Sequence, residues 1–99
     1  MAGEVIKQGE VSVGGTILFT GGKNGSKIVV MRFFNPAAYV LQLFSYQNSS
    51  TSTIQMFDFT LDAGDVVTDY FTYSLNDGDY IEVFTDVVGT EYYVRCFDN

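Results

Sequence analysis

Clusters of glycine, asparagine, aspartate and serine interrupt this chain at short intervals, and the segments between them are rich in β-branched and aromatic residues. That punctuation constrains the fold more than any other feature, because an amphipathic helix needs a longer run with apolar residues three and four apart. Strands are expected at 10–13, 16–20, 27–34, 38–46, 54–60, 66–73, 79–86 and 90–97. Pro36, the sole proline, follows Asn35 in a turn-prone dipeptide between two apolar runs. Short strands at this spacing predict an all-β chain: a single antiparallel β-sandwich, jelly-roll-like, of about seven or eight short strands.

A chain of 99 residues makes one domain and buries enough surface for a core without disulfides. Gly14-Gly15 is expected to separate an N-terminal arm or edge strand, residues 1–13, from a sandwich domain at 14–99. Asn24-Gly25 suits the positive backbone dihedrals of a hairpin turn. The polar stretch 47–53 reads as a mobile loop open to partner contact.

One pentapeptide pattern occurs twice: Leu61-Asp62-Ala63-Gly64-Asp65 returns as Leu75-Asn76-Asp77-Gly78-Asp79. Their carboxylates could gather around calcium only if both turns lay at one end of the sandwich. Successive turns of a meander fall at opposite ends, so each is expected to be a strand-to-strand turn with its leucine in the core.

The formal charge of −7 is unevenly spread: residues 58–99 hold ten acids against Arg95 alone. Such a chain repels phosphate, which disfavours nucleic acid, and its field suits a basic partner or the lysine-bearing loop of a neighbouring copy. No apolar run approaches a membrane span or a secretory leader, so a soluble protein made in a reducing cytoplasm is expected.

The absence of histidine removes the commonest general base and the commonest zinc ligand. Cys96, the only cysteine, alternates with Tyr92 and Val94 and is expected to be a small core residue. The serines of 49–52 lack a base, and a small sandwich offers little concavity for paired aspartates. No enzyme activity, catalytic residue, metal or cofactor is expected.

Three strands carry adjacent aromatics: Phe33-Phe34, Tyr70-Phe71 and Tyr92-Tyr93. Neighbouring strand residues face opposite ways, so one ring of each pair should enter the core and the other point out. Three outward rings lying together would match or exceed the largest apolar patch of an ordinary monomer. Phe33, Phe34, Tyr70, Tyr92 and Tyr93 are therefore the candidate interface residues, with copies of the chain itself, as dimer or trimer, the expected partners.

The stretch from Phe59 to Asn99 resembles the C-terminal half of small β-sandwich virion proteins of tailed bacteriophages. Leu61, Gly64 and Asp65 match the first element of their pattern, Leu75, Gly78, Asp79 and Ile81 the second, and Gly89 the late turn. Upstream, residues 16–46 look like the opening strand, turn and central hairpin of that family, with Asn35 where the strand ends. The likeness spans about residues 16–97. It implies a structural role in the virion, assembled in the host cytoplasm, and no catalytic residues. A capsid decoration (cement) protein is the leading expectation, bound to the major capsid protein or other virion proteins. A neck, tail-fibre or baseplate component is the alternative, and a carbohydrate-binding module a more distant one.

Overall fold

The computed structural model describes residues 3–86 and 89–99. Nine strands follow one another: β1 Gly3–Glu10, β2 Thr16–Thr20, β3 Ser26–Phe34, β4 Leu41–Asn48, β5 Thr53–Leu61, β6 Val66–Asp69, β7 Tyr73–Leu75, β8 Tyr80–Thr85 and β9 Glu91–Asp98. They pair antiparallel in two sheets. The first has the order β1-β9-β3-β6, with β7 also on β3, and the second β2-β8-β4-β5.

β6 and β7 lie end to end on one strand. Val66–Asp69 pairs with the far end of β3 (Met31 to Phe34), and Tyr73–Leu75 with its near end (Ser26 to Ile28). They form a single edge strand opened by a loop at 70–72. Counted so, eight strands alternate between the sheets at every connection except the β4–β5 hairpin, which is the strand order of a jelly roll.

Three expectations are corrected in detail. The strand expected across 66–73 breaks after Asp69, so alternation does not govern Tyr70 and Phe71. The strand expected at 10–13 is replaced by β1, hydrogen-bonded along its whole length to β9. Met1 and Ala2 of the expected arm lie outside the described residues. The Asn24-Gly25 step belongs to a crossing between sheets rather than a hairpin, and only Gly25 has positive φ.

The core lies between the inner faces. Leu41, Leu43 and Ser45 of β4 stand opposite Leu61, Phe59 and Phe57 of β5, every second residue turned inward. Ile28, Met31 and Phe33 of β3 meet Val94 and Cys96 of β9 in the other sheet. Ile28 and Met31 are an odd number apart, and both are buried because a bulge between residues 28 and 30 inserts one extra position. Val11, just beyond β1, is also fully buried and donates its N–H to the Thr90 carbonyl at 2.7 Å.

The twin pentapeptides form turns of one geometry. The Asp65 N–H closes on the Asp62 carbonyl and the Asp79 N–H on the Asn76 carbonyl, each at 3.0 Å. Gly64 and Gly78 hold φ of 81° and 82°, a region a side chain resists. The last carboxylate of each turn accepts from the backbone N–H three residues earlier, Asp65 from Asp62 and Asp79 from Asn76. Leu61 and Leu75 are buried. The first turn hydrogen-bonds to Asn35, just after β3, and the second to Gly21, before β3, so the nine-residue strand separates their carboxylates.

Candidate functional site

Among the described residues, no group of three or more Cys, Asp or Glu side chains is placed to hold a metal ion. Cys96 is fully buried, and its thiol is pushed up to about 12, chiefly by burial, against an opposing pull from Lys7 and with a further push from Asp98. A thiol so held is no nucleophile at neutral pH. What the surface offers is aromatic.

The five candidate interface residues separate into distinct settings. Phe33 is 0% exposed and packs its ring 5.7 Å from that of Phe57, so it leaves the interface set. Phe34, its neighbour, is half-buried on the outer face of the first sheet. Tyr92 packs against the core beneath Gly9, while Tyr93 faces outward beside Arg32, its cross-strand partner. Phe34, Tyr92 and Tyr93 nonetheless line one shallow cleft of about 200 Å³ with Gln8, Arg32 and Glu91.

Tyr70 and Phe71 are both exposed, at 71% and 70%. The loop carrying them is built rather than loose. One carboxylate oxygen of Asp69 accepts the Phe71 N–H at 2.8 Å, and the other accepts the Tyr73 hydroxyl at 2.5 Å. The Phe71 and Tyr73 rings lie 5.3 Å apart at 50°. Desolvation raises the Tyr73 hydroxyl pKa well above its ordinary value, and the hydrogen bond and negative charge of Asp69 raise it further. This loop also interrupts the free side of the β6–β7 edge, which blunts strand addition there. Phe71 was missed as an outward ring because alternation assumed an unbroken strand.

A second aromatic set lies on the outer face of the second sheet. Phe44 stands opposite Phe84, and Tyr46 opposite Glu82. The Tyr46 and Phe84 rings meet edge to face, with centroids 5.8 Å apart. With Asn48 and Thr53 they line an open groove of about 400 Å³. The Asn48 side-chain carbonyl accepts from the Thr53 hydroxyl at 2.8 Å, while its buried amide nitrogen has no partner. The signal was present in the period-two run Leu41-Gln42-Leu43-Phe44-Ser45-Tyr46, which puts Phe44 and Tyr46 on one face.

Charge divides between the sheets. Lys7, Lys27, Arg32 and Arg95 all lie on strands of the first sheet, whereas the strands of the second carry Asp58 and Glu82 and no cation. Arg95 bridges Glu4 at 3.0 Å and lies 5.4 Å from the Phe97 ring centre, with Lys27 at 6.0 Å from the same ring.

No protein-family model matches this sequence, and no curated protein does. Among solved structures, the fold is similar to a chain from Bacillus endospore appendages, described as a family of disulfide-linked pili. The TM-score is 0.53 at 7% identity, covering 98% of this chain and 84% of that one. The likeness is one of fold.

Proposed function

We propose that this chain is a non-enzymatic structural protein that works in many copies within a virion, as a decoration protein bridging capsomers on the outer shell. The observation that carries this reading is the placement of Tyr70 and Phe71, two large rings held outside the core on a loop fixed by Asp69. An apolar pair presented this way gains by being covered, and a loop already ordered loses little entropy when it is. The resemblance of residues 16–97 to small phage virion proteins supports the setting, and the jelly-roll strand order supports the scaffold. In this reading the same surfaces serve association with copies of itself and with the major capsid protein.

The fold likeness to a pilus chain supports the wider idea that this scaffold serves polymers, although by a different linkage. A chain of disulfide-linked subunits needs two cysteines per subunit, and these 99 residues contain one, buried. The contacts proposed between copies here are non-covalent.

Density for an intact particle tests the proposal. Copies spread over the shell at capsomer number support decoration, and copies confined to the neck, fibre or baseplate support the alternative position. Absence of the chain from the particle overturns both.

A further inference from the structure

We propose that the groove of Phe44, Tyr46, Phe84 and Glu82 receives the ammonium of Lys23 from a second copy of this chain. The inference rests on the reading of the protein as a self-associating structural subunit, and names the contact that would join its copies.

The groove has the chemistry of a cation site. Aromatic faces attract an ammonium through their quadrupole, and a carboxylate among them adds a charge-assisted acceptor. Glu82 is the sole charged group lining it, and no lysine or arginine lies on any strand of its sheet. A groove of about 400 Å³ is wide enough for a lysine stem and its head.

The cation is identified by what most of the others already do and by which of the rest stands on a projecting loop. Arg95 is bound to Glu4, Lys27 lies over Phe97, and Arg32 donates to the Thr68 hydroxyl at 3.3 Å. Lys7, exposed like Lys23, lies on β1, which its pairing with β9 holds against the first sheet. Lys23 is exposed at a loop tip and, among the described residues, makes no hydrogen bond or ion pair.

Its loop is held ready. The Gly25 N–H closes on the Gly22 carbonyl at 2.9 Å, the Gly22 N–H on the Ser26 hydroxyl at 2.8 Å, and the Asn99 N–H on the Gly25 carbonyl at 3.0 Å. Little order is lost when such a loop docks. Donor loop and acceptor groove are different surfaces, so each copy can give one contact and take another, which permits growth beyond a pair.

Charge exchange tests the contact by sedimentation velocity across a concentration series. Lys23→Glu and Glu82→Lys should each weaken self-association about tenfold or more, and the double variant should recover most of it. Glu82→Gln, which disturbs the surface less, should weaken association in the same direction, and circular dichroism checks that each variant folds. Oligomers unaffected by any of these changes overturn the inference while leaving the structural reading standing. A wild-type protein that stays monomeric throughout overturns it outright, and particle density alone then judges the structural reading. Chitobiose that shifts the ring resonances of Tyr46 and Phe84, without any effect of charge exchange, assigns the groove to a glycan and also overturns the proposal.

Discussion

Gly21 and Asn35 hold the two twin turns by the same pair of backbone hydrogen bonds. The Asn35 N–H donates to the Asp65 carbonyl at 2.9 Å and its carbonyl accepts from Gly64 at 2.8 Å, while Gly21 does the same with Asp79 at 2.7 Å and Gly78 at 3.1 Å. The side chains then part company. A Cβ on Gly21 would lie 2.1 Å from the Asn76 carbonyl oxygen, so nothing larger than hydrogen fits. Asn35, fully buried, uses its amide to donate to the carbonyls of Tyr39, Leu61 and Asp62 and to accept from the Ala37 N–H. Gly21→Ala should cost about 1–3 kcal/mol by overpacking. Asn35→Ala should cost about 2–3 kcal/mol by orphaning buried carbonyls. Urea unfolding measures both, and wild-type stability in either variant would refute this account of the turns.

The Asp69–Tyr73 bond predicts a stability that depends on high pH. Burial and Asp69 raise the folded-state pKa of Tyr73, so the folded chain keeps a proton that the unfolded chain releases. That contribution is complete below the ordinary tyrosine range, near 10, and fades as pH rises through and above it. Tyr73→Phe should remove part of this alkaline loss and cost about 1 kcal/mol at neutral pH through the missing hydrogen bond. Thermal melts at matched pH values, with tyrosinate absorbance as a second probe, check both signs.

Much of the fold was legible because each strand declares itself locally. Runs such as Lys27 to Phe34 and Thr90 to Phe97 stand out between turn clusters, and of their counterparts β3 starts one residue early while β9 is displaced by one residue at each end. Two things were not local. The break at Tyr70 depends on Asp69 bonding forward to Phe71 and Tyr73, which no propensity encodes for a run reading as one strand. The aromatic groove depends on Phe44 and Phe84 being cross-strand partners, residues forty apart in sequence that meet only once β4 lies on β8. Adjacent rings marked an aromatic surplus, but only the pairing of strands says where each ring goes.

Cys96 should be silent until the sandwich opens. Its thiol lies at 0% exposure, and its ionisation is pushed up to about 12. A thiol-specific reagent at neutral pH should label the chain at the rate of global unfolding, and non-reducing gels should show no covalent dimer. The shift also adds stability that is present below about 9, the ordinary value, and lost as pH climbs toward 12. Fast labelling of the folded chain would place the thiol elsewhere.

The N-terminal segment divides functionally at Val11. β1 is mostly exposed and pairs only with β9, whereas Val11 is fully buried. Deleting residues 1–10 should leave a folded sandwich of lower stability. Deleting 1–13 should cost about 1.5–3 kcal/mol more, the worth of a buried valine. If β1 also reaches a neighbouring subunit as an added strand, the shorter deletion should weaken assembly as well. Unchanged particle incorporation would confine β1 to its own sheet.

Tyr70 and Phe71 separate assembly from folding more cleanly than any other pair. Both rings are largely in water, so replacing them with serine removes few contacts from the folded chain. The double variant should melt within about 0.5 kcal/mol of wild type, as exposed substitutions do. A buried ring at an interface contributes far more, with truncation of a central anchor costing about 2 kcal/mol or more. The double variant should therefore lose at least about thirtyfold in binding to its assembly, measured as retention on particles or as the self-association constant. Phe33→Leu serves as the opposite control: that ring is in the core, so stability should fall while the affinity of the folded fraction holds. Equal binding by wild type and the double variant would remove the 70–72 loop from the contact surface.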